Sequence, residues 1–211
     1  MGEEQPSPKP RRLTVKGAAT RQRILDAAAD LMYTQGVEST SIDDVIDASG
    51  TGKSQVYGHF RDKRELVEAV VEAQIERVLS EQGRFLEDLR TMRGLERWRD
   101  SVVVSVRGPR GAHGCPIGSL ASELADRSET ARRNLEQAFA VWEQWFRAGL
   151  ERMQQSGELK QDANVDELAV GLMAAVQGGY LLSQTRRDGR SMALALDMAL
   201  GRVRAALMKT P

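Results

Sequence analysis

Residues 39–63 read STSIDDVIDASGTGKSQVYGHFRDK. Hydroxyl side chains at residues 39–41, followed by Asp43 and Asp44, are typical of a helix start. Hydroxyl oxygens cap the first backbone N–H groups, and the helix dipole favours acids in the first turn. Gly50 is expected to end this helix, and a second short helix is expected from Lys53 to Phe60. The stretch therefore predicts two short helices joined by a tight turn.

Amphipathic helices are predicted on both sides of this stretch. Between Ile24 and Met32, apolar side chains recur at i, i+3, i+4, i+7 and i+8, with Thr20 as the expected N-cap and Gly36 as the expected end. Downstream, Asp62 is expected to cap a long helix. Further apolar stripes predict helices over residues 135–153, 165–183 and 193–208.

One segment gives a different signal. Residues 101–118 combine a β-branched run with several glycines and prolines, and they are expected to form the end of a helix and a loop. Pro109 and Pro116 are expected to spoil a helix start there. Because every other patterned segment is helical, the predicted fold class is all-α. We divide the chain into a disordered basic arm (1–19, with Pro6, Pro8 and Pro10), a three-helix helix-turn-helix domain (20–65) and a C-terminal helical domain (66–211).

The charges are balanced overall but not locally. The chain holds 30 Lys+Arg and 30 Asp+Glu in 211 residues. Residues 9–23 carry only basic charges, residues 24–52 only acidic ones, and Lys53–Arg64 is basic again. We expect the acids to lie mostly on the first two helices, facing away from the two basic bands or serving as first-turn charges. A nucleic-acid partner would then be approached through a narrow basic surface.

The composition of the chain excludes several classes of protein. An apolar fraction of 41% is enough for a core, and the longest apolar run, residues 168–176, is too short to span a bilayer. Neither a secretory signal nor a second cysteine beside Cys115 is seen, so a cytoplasmic location is expected, without a membrane partner. With two histidines and one cysteine, no catalytic set, metal site or cofactor is predicted.

The second short helix has the composition expected of a recognition helix. A helix-turn-helix places this helix in the DNA major groove. Lys53, Ser54, Gln55, Tyr57 and His59 are donor-rich, and a glutamine can pair with an adenine edge. For Tyr57, packing under the first helix is the alternative, and for His59 packing and DNA contact are both open. Phe60 is expected in the core.

Two blocks of sequence carry a family resemblance. Residues 24–66, with TSIDDV at 40–45, SGTGKSQVY at 49–57, His59-Phe60 and Lys63, resemble the DNA-binding domain of the tetracycline-repressor (TetR) family. GCPIGSLASEL at 114–124 is similar to the effector domain of its LmrA/YxaF-like branch. The resemblance implies an all-helical homodimer that represses transcription by binding double-stranded operator DNA. A small ligand bound in the C-terminal domain would release it.

The resemblance also assigns roles to particular positions. Thr40 and Ser41 would cap the second helix and donate to phosphate, and Lys63 would bind phosphate. The remaining DNA-binding positions would open the recognition helix or face the duplex: Thr51, Gly52, Lys53, Ser54, Gln55, Tyr57 and His59. Gly58 departs from the family pattern, which commonly has an aromatic residue or histidine there. A phosphate contact at that position is therefore not predicted.

The C-terminal domain offers candidate pocket and interface residues. A small lipophilic effector would suit walls made of Trp98, Trp142, Trp145, Phe146, Met173, Gln177 and Tyr180, although each could be plain core. Small residues between Gly171 and Gly179, together with the stripe Leu196, Leu200, Val203 and Leu207, would suit a four-helix homodimer interface. The alternative for this face is packing within one monomer.

Competing functions have weaker support. The run Gly52-Lys53-Ser54 resembles the end of a phosphate-binding loop, but Asp47 occupies the first glycine position. The glycines at 108, 111 and 114 do not form a dinucleotide-binding pattern. The main alternative is a small-molecule or redox-sensing module that does not read DNA specifically. For Cys115, a small buried hydrophobe is favoured over a redox sensor.

Overall fold

The computed structural model describes residues 14–86, 88–108 and 114–208, with the side chains of 82–86 excepted. The described residues form nine helices, with a single isolated bridge between Leu159 and Leu207. The helices are α1 (Val15–Gln35), α2 (Ile42–Ser49), α3 (Lys53–His59), α4 (Lys63–Leu86), α5 (Met92–Arg107), α6 (Pro116–Leu124), α7 (Glu129–Gln155), α8 (Val165–Arg186) and α9 (Arg190–Ala205). The all-α fold class is confirmed.

Helix α1 begins earlier than predicted. Thr14 is its N-cap and accepts a hydrogen bond from the backbone N–H of Gly17. Thr20, the predicted cap, is buried inside the helix and donates its hydroxyl to the carbonyl of Lys16. The predicted disordered arm is therefore wrong over residues 15–19, because Thr14 caps a helix that begins well before its first buried apolar residue, Ile24. The rest of that arm, residues 1–13, lies outside the described residues.

Helices α2 and α3 form the helix-turn-helix predicted by the sequence. Gly50 ends α2 in the left-handed conformation, with φ of 61°, which glycine adopts without a steric penalty. Gly52 is the N-cap of α3. Val45 and Val56 are fully buried, and both helices pack on α1. As predicted, Asp62 caps α4 by accepting a hydrogen bond from the backbone N–H of Glu65. The domain boundary predicted at residues 65 and 66 falls within α4.

The segment around residues 101–118 contains a helix that was not predicted. Helix α5 ends at Arg107, and α6 starts directly at Pro116. The expectation that Pro116 spoils a helix start is wrong. At the first helical position proline needs no backbone N–H, and its fixed φ suits the helix. Pro109 lies outside the described residues.

Helices α5 to α9 pack around a shared core. Helix α8 packs against α7 and α9, and α9 also packs against α5. Leu196, Leu200 and Val203 of α9 are fully buried within the monomer. The predicted role of this stripe at a subunit interface is therefore corrected, because an apolar stripe shows that a face is covered and not which element covers it. Helix α9 also ends at Ala205, three residues before the predicted end, and Leu207 pairs with Leu159 instead.

Helix α8 is apolar over most of its length, between two acids in its first turn and Arg186 in its last. An 18-residue window of this 22-residue helix has a mean hydropathy of 1.2, so by length and composition alone it could cross a bilayer, which the short apolar run did not suggest. Core helices of soluble proteins meet the same criterion, and a third of this window is buried within the protein. One side of α8 contacts α7 and α9, while Val170, Leu181 and Leu182 remain exposed on the other.

Candidate nucleic-acid interface and effector cavity

Helix α3 presents a polar face to solvent. Lys53, Ser54, Gln55, Tyr57 and Gly58 are all exposed, and Tyr57 keeps 46% of its surface accessible. Tyr57 therefore does not pack under α1, which was the alternative for this residue. His59 is half-buried beside Phe60, with their ring centroids 6.3 Å apart. The exposed face is the part of the helix-turn-helix that can enter a major groove.

The opposite side of α3 anchors it to the core. Val56 and Phe60 are buried, so the prediction that Phe60 is a core residue is confirmed. The guanidinium carbon of Arg21 on α1 lies 5.4 Å from the centroid of the Phe60 ring, a cation–π contact. Val56 and Phe60 pack α3 against the core, and this packing fixes the positions of the exposed side chains of α3.

The turn before α3 uses several of the predicted DNA-binding residues for its own structure. Gln55 Oε1 accepts a hydrogen bond of 2.9 Å from the backbone N–H of Gly52. Thr51 is buried, and its hydroxyl lies 2.7 Å from that of Ser49. Thr51 thus stabilises the turn from inside, whereas Ser54 and the Nε2 group of Gln55 have no hydrogen bond within the described part of the chain.

Of Thr40 and Ser41, which were both predicted to cap α2, only Ser41 does so. Ser41 is the N-cap of α2 and forms a capping box with Asp44. This capping holds the pKa of the Asp44 carboxyl below its ordinary value through hydrogen bonds from the side chain and backbone of Ser41. Thr40 is buried and donates its hydroxyl to the carbonyl of Gly36. The prediction that Thr40 caps α2 is therefore wrong, and its hydroxyl is not exposed for a phosphate.

The two predicted phosphate-binding lysines are both held in place. Lys53 Nζ lies 3.6 Å from Asp43 Oδ1, and both side chains are largely exposed. Lys63 Nζ donates a hydrogen bond of 3.0 Å to the carbonyl of Glu38 in the turn between α1 and α2. An ammonium group has three donors, so each lysine can still contact a phosphate from this position.

Three of the six acids in residues 24–52 contact groups other than the basic side chains of α3. Asp26 accepts from Gln22, Glu38 pairs with Arg127 on the next domain, and Asp44 closes the capping box. Asp43 instead faces Lys53 directly. Within the described residues, basic side chains are exposed on α3, at the start of α4 and, with Lys16 and Arg23, on α1.

A cavity of about 320 Å³ lies between the helix-turn-helix and the C-terminal helices. Its walls come from α1, α4, α5, α7, α8 and the segment that leads into the first residue of α6. They are Asp30, Tyr33, Gln74, Arg77, Val78, Glu81, Ser101, Val102, Ser105, Gly114, Cys115, Pro116, Trp142 and Tyr180. This volume lies within the range of small-molecule sites in proteins.

Only two of the seven predicted pocket residues line this cavity, Trp142 and Tyr180. Trp98 and Phe146 are core residues that meet edge to face, with ring centroids 4.9 Å apart. Trp145 is partly buried against the core. Met173 and Gln177 contact each other, and Gln177 Nε2 lies 3.8 Å from Cys115 Sγ behind the wall. The predicted group is thus corrected, because Trp142 and Phe146 share a buried face of α7 but Phe146 packs against Trp98 in the core and only Trp142 of this pair reaches the cavity.

Half of the twelve cavity residues that were not predicted from the sequence come from α1 and α4. Asp30 and Tyr33 belong to the helix-turn-helix domain, and Arg77 and Glu81 form an ion pair of 3.3 Å on α4. Tyr33 also donates its hydroxyl to the carbonyl of Gly114, at 2.7 Å. Nothing in the sequence marks Arg77 and Glu81 as cavity residues, since oppositely charged residues at i and i+4 are common on exposed helix faces.

Two titratable groups in the wall are held neutral by burial. Burial raises the pKa of Tyr180 to about 12, although the nearby Ser105 side chain acts in the opposite direction. Burial likewise raises the pKa of the Cys115 thiol, which is 4% exposed. A reactive sensor cysteine needs a lowered pKa and access to solvent. The structure therefore favours the role of a small buried hydrophobe for Cys115.

Comparison with known proteins identifies this arrangement. Residues 24–70 match the model of bacterial regulatory proteins of the tetR family, and residues 91–199 match the tetracyclin repressor-like C-terminal domain. An uncharacterised HTH-type transcriptional regulator from the lacX 3' region of Lactococcus lactis is 30% identical over 174 residues, covering 80% of this chain and 85% of that protein.

This chain belongs to the TetR family. Members of this family are transcriptional regulators rather than enzymes, generally repressors, and they bind DNA through the helix-turn-helix. The HTH-type transcriptional regulator LmrA of Bacillus subtilis is 27% identical over 173 residues, covering 80% of this chain and 88% of its own, which agrees with the branch that the sequence resembles. A TetR-family regulator from Cytophaga hutchinsonii has the same fold, with a TM-score of 0.82 at 21% identity, over 95% of this chain and all of that one.

In this TetR-family protein, helix α6 connects the cavity wall to the helix-turn-helix. Gly118 on α6 lies so close to Gln177 that a Cβ would come within 2.6 Å of Oε1, so α6 and α8 pack without space between them. At its other end, Glu123 accepts a hydrogen bond of 2.8 Å from the backbone N–H of Val37. The two domains are thus joined through α6 as well as through α4.

Proposed function

We propose that this protein is a ligand-responsive repressor that binds a palindromic operator as a homodimer and is released by a small hydrophobic effector. The observation that carries the proposal is the position of the cavity. Two of its wall residues, Asp30 and Tyr33, belong to α1, on which α3 is mounted. A ligand that changes the shape of this cavity acts directly on the support of the recognition helix.

On the DNA side, α3 and the start of α4 supply the groups that contact phosphates, and α3 supplies those that read bases. Lys53 and Lys63 contact phosphates, which set the register of the protein on the duplex. Ser54, Gln55 and Tyr57 lie on the exposed face and read base edges in the major groove. His59 is half-buried and contributes at the rim of this surface. Gly52 and Thr51 serve DNA binding indirectly, by shaping the turn.

The homodimer is supported by exposed apolar side chains on two adjacent helices. Leu181 and Val170 on α8, and Leu194 and Met198 on α9, are 49% to 79% accessible in the monomer. Exposed patches of this kind mark interaction sites. Gly171 and Gly178 have no atom near the position of a Cβ, so a partner helix can approach α8 closely. Two copies of α8 and α9 form a four-helix interface in this proposal, and the resulting twofold axis matches a palindromic operator.

Operator DNA and a small lipophilic effector are thus the proposed partners, and the cytoplasm is the proposed location. The effector site is the cavity bounded by Trp142 and Tyr180 rather than the larger aromatic group predicted from the sequence. Helix α4 runs from the cavity wall at Glu81 to its N-terminus at Lys63, beside the recognition helix. Displacement of α4 therefore changes the position of Lys63 relative to a phosphate.

The proposal is tested by selecting binding sites from sheared genomic DNA with the purified protein. We expect the enriched fragments to share an inverted repeat and to bind with a steep dependence on salt concentration. Lys53→Ala is expected to abolish enrichment, whereas Arg93→Ala removes an exposed charge on α5 and serves as the matched control. Absence of any enriched sequence with the wild-type protein would refute specific DNA reading.

A further inference from the structure

Gln55 uses one end of its side-chain amide to hold the turn before α3. Its Oε1 accepts a hydrogen bond of 2.9 Å from the backbone N–H of Gly52, the N-cap of α3. The other end of the amide, Nε2, forms no hydrogen bond with any described residue, and the side chain of Gln55 is exposed. The donor end of this amide is therefore the end that is left for a base.

This hydrogen bond changes the base that Gln55 can read. A glutamine pairs with an adenine edge by donating from Nε2 to N7 while Oε1 accepts from the N6 amino group. In this turn Oε1 already accepts from the backbone of Gly52. Releasing it for a base would cost one net hydrogen bond, which is a factor of about 2 to 10 in affinity. The adenine contact expected from the residue type alone is therefore disfavoured.

A donor whose neighbouring acceptor is occupied distinguishes between the four major-groove edges. Guanine presents two adjacent acceptors, N7 and O6, to the two N–H groups of Nε2. Adenine presents one acceptor beside an amino donor, and cytosine presents an amino donor, so both place a donor against the donors of Nε2. Thymine presents one acceptor beside a methyl group. Guanine is thus the base whose edge matches this side chain best.

The other exposed polar side chains of α3 are less selective. The hydroxyl groups of Ser54 and Tyr57 can each donate or accept, so each is compatible with several base edges. Lys53 is a donor only, but its Nζ lies 3.6 Å from Asp43 Oδ1, and the proposed function places it at a phosphate. Gln55 is therefore the exposed side chain of α3 whose hydrogen bond within the protein limits what it can read.

We propose that Gln55 is a specificity-determining residue that donates from Nε2 to a guanine in each half-site of the operator. The hydrogen bond from Gly52 keeps Oε1 on the protein and thereby disfavours adenine at this position. This inference rests on the proposed function in taking α3 as the helix that reads the operator, and it adds the base that one of its side chains selects.

A variant that reverses the polarity of this side chain and keeps the cap tests the proposal. In Gln55→Glu one carboxylate oxygen can still accept from the backbone of Gly52, as glutamate does in a capping box, while the second oxygen replaces Nε2. Glutamate accepts from the amino group of cytosine. In selection from a random DNA library, we expect the wild-type protein to prefer guanine about tenfold at one position of each half-site and Gln55→Glu to prefer cytosine there.

A matched variant and a modified base separate base reading from charge and folding. Gln22→Glu makes the same chemical change on the exposed surface of α1 and is expected to keep the preference for guanine. Circular dichroism melts verify that both variants are folded. With the wild-type protein, each selected guanine is replaced in turn by 7-deazaguanine, which lacks the N7 acceptor. We expect one replacement in each half-site to weaken binding about fivefold by fluorescence anisotropy, and this result requires no variant.

The outcomes separate the inference from the proposed function. An enriched inverted repeat with the same base preferences for the wild-type protein and Gln55→Glu would overturn the inference and leave the repressor intact. A wild-type preference for adenine at the position that Gln55→Glu alters would also overturn it, as would full affinity for every 7-deazaguanine duplex. If the wild-type protein enriches no sequence, specific DNA reading is refuted and the inference falls with it.

Discussion

The carboxylate of Glu123 on α6 accepts a hydrogen bond of 2.8 Å from the backbone N–H of Val37, in the turn between α1 and α2. Gly36 lies beside the same carboxylate, with a Cβ position 3.3 Å from Oε2. Arg127, just past α6, pairs with Glu38 in the same turn. The C-terminal domain therefore contacts the turn between α1 and α2 at two points, through the Glu123 carboxylate and through the Arg127 guanidinium.

Loss of this contact is expected to destabilise the protein and weaken DNA binding. In Glu123→Ala the Val37 N–H loses its acceptor, which costs about 1 to 3 kcal/mol of unfolding free energy. Glu123→Gln keeps a carbonyl acceptor and is expected to lose less. Denaturant unfolding and DNA-binding titrations measure both effects, and an alanine variant as stable as the glutamine variant would contradict this role.

Lys53 and Asp43 are expected to have opposite effects on DNA affinity. Lys53→Ala removes a phosphate contact, so the slope of log affinity against log salt is expected to fall by about one. Asp43→Asn removes the acid that competes with phosphate for Lys53, so affinity is expected to rise at low salt. Fluorescence anisotropy over a salt series measures both. A weaker affinity in Asp43→Asn would show that the pair positions Lys53 for DNA.

Two helical glycines are expected to respond oppositely to alanine. Gly58 on α3 has no atom within 4 Å of a Cβ position, so Gly58→Ala should stabilise the protein by about 0.5 to 1 kcal/mol. Gly149 on α7 would place its Cβ 2.6 Å from the carbonyl oxygen of Leu89, so Gly149→Ala should destabilise it. Thermal unfolding compares the two variants, and equal shifts would show that the α7 contact is not close-packed.

An acid on the exposed face of α8 is expected to separate the subunits. Leu181→Glu places a charge where the proposed interface excludes water, so the variant should sediment as a monomer and lose affinity for an inverted repeat. Val104→Glu changes an exposed valine on α5 and serves as the control, which should remain a dimer. Dimers in both variants would place the interface elsewhere.

Cys115 is expected to react slowly with thiol reagents. Burial raises its pKa, so below that pKa the folded protein holds less thiolate than the unfolded chain. Because the neutral thiol is the favoured folded form, its contribution to stability is present at neutral pH and is lost as the pH rises above the unfolded pKa. Iodoacetamide labelling of native and urea-unfolded protein measures the difference. Equal rates would revive the redox-sensing alternative.

The sequence was most informative where the signals are local. The caps at Ser41 and Asp62 and the glycine at Gly50 act within one turn of chain, so the bounds of α2, α3 and the start of α4 follow from neighbouring residues. The start of α1 was predicted too late, because Thr14 precedes a polar first turn that carries no apolar stripe. The start of α6 was missed because proline both breaks and begins helices.

The cavity and the packing of α9 could not be predicted in the same way. The cavity combines residues from six parts of the chain, and charged positions such as Asp30 and Arg77 carry no pattern that marks a wall. The apolar stripe that starts at Leu196 was correctly predicted to be buried, but its periodicity does not show which helix packs against it. Trp142 was predicted in the pocket, whereas its unpaired nitrogen becomes visible only when all neighbouring acceptors are placed.

The most direct test of the account is the stoichiometry of the protein on a selected inverted repeat, measured by analytical ultracentrifugation with labelled DNA. We expect two chains per duplex, with binding lost when one half-site is scrambled and lost again in Lys53→Ala. One chain per duplex, with equal affinity for the intact and the scrambled repeat, would contradict a dimeric repressor that reads its operator through α3.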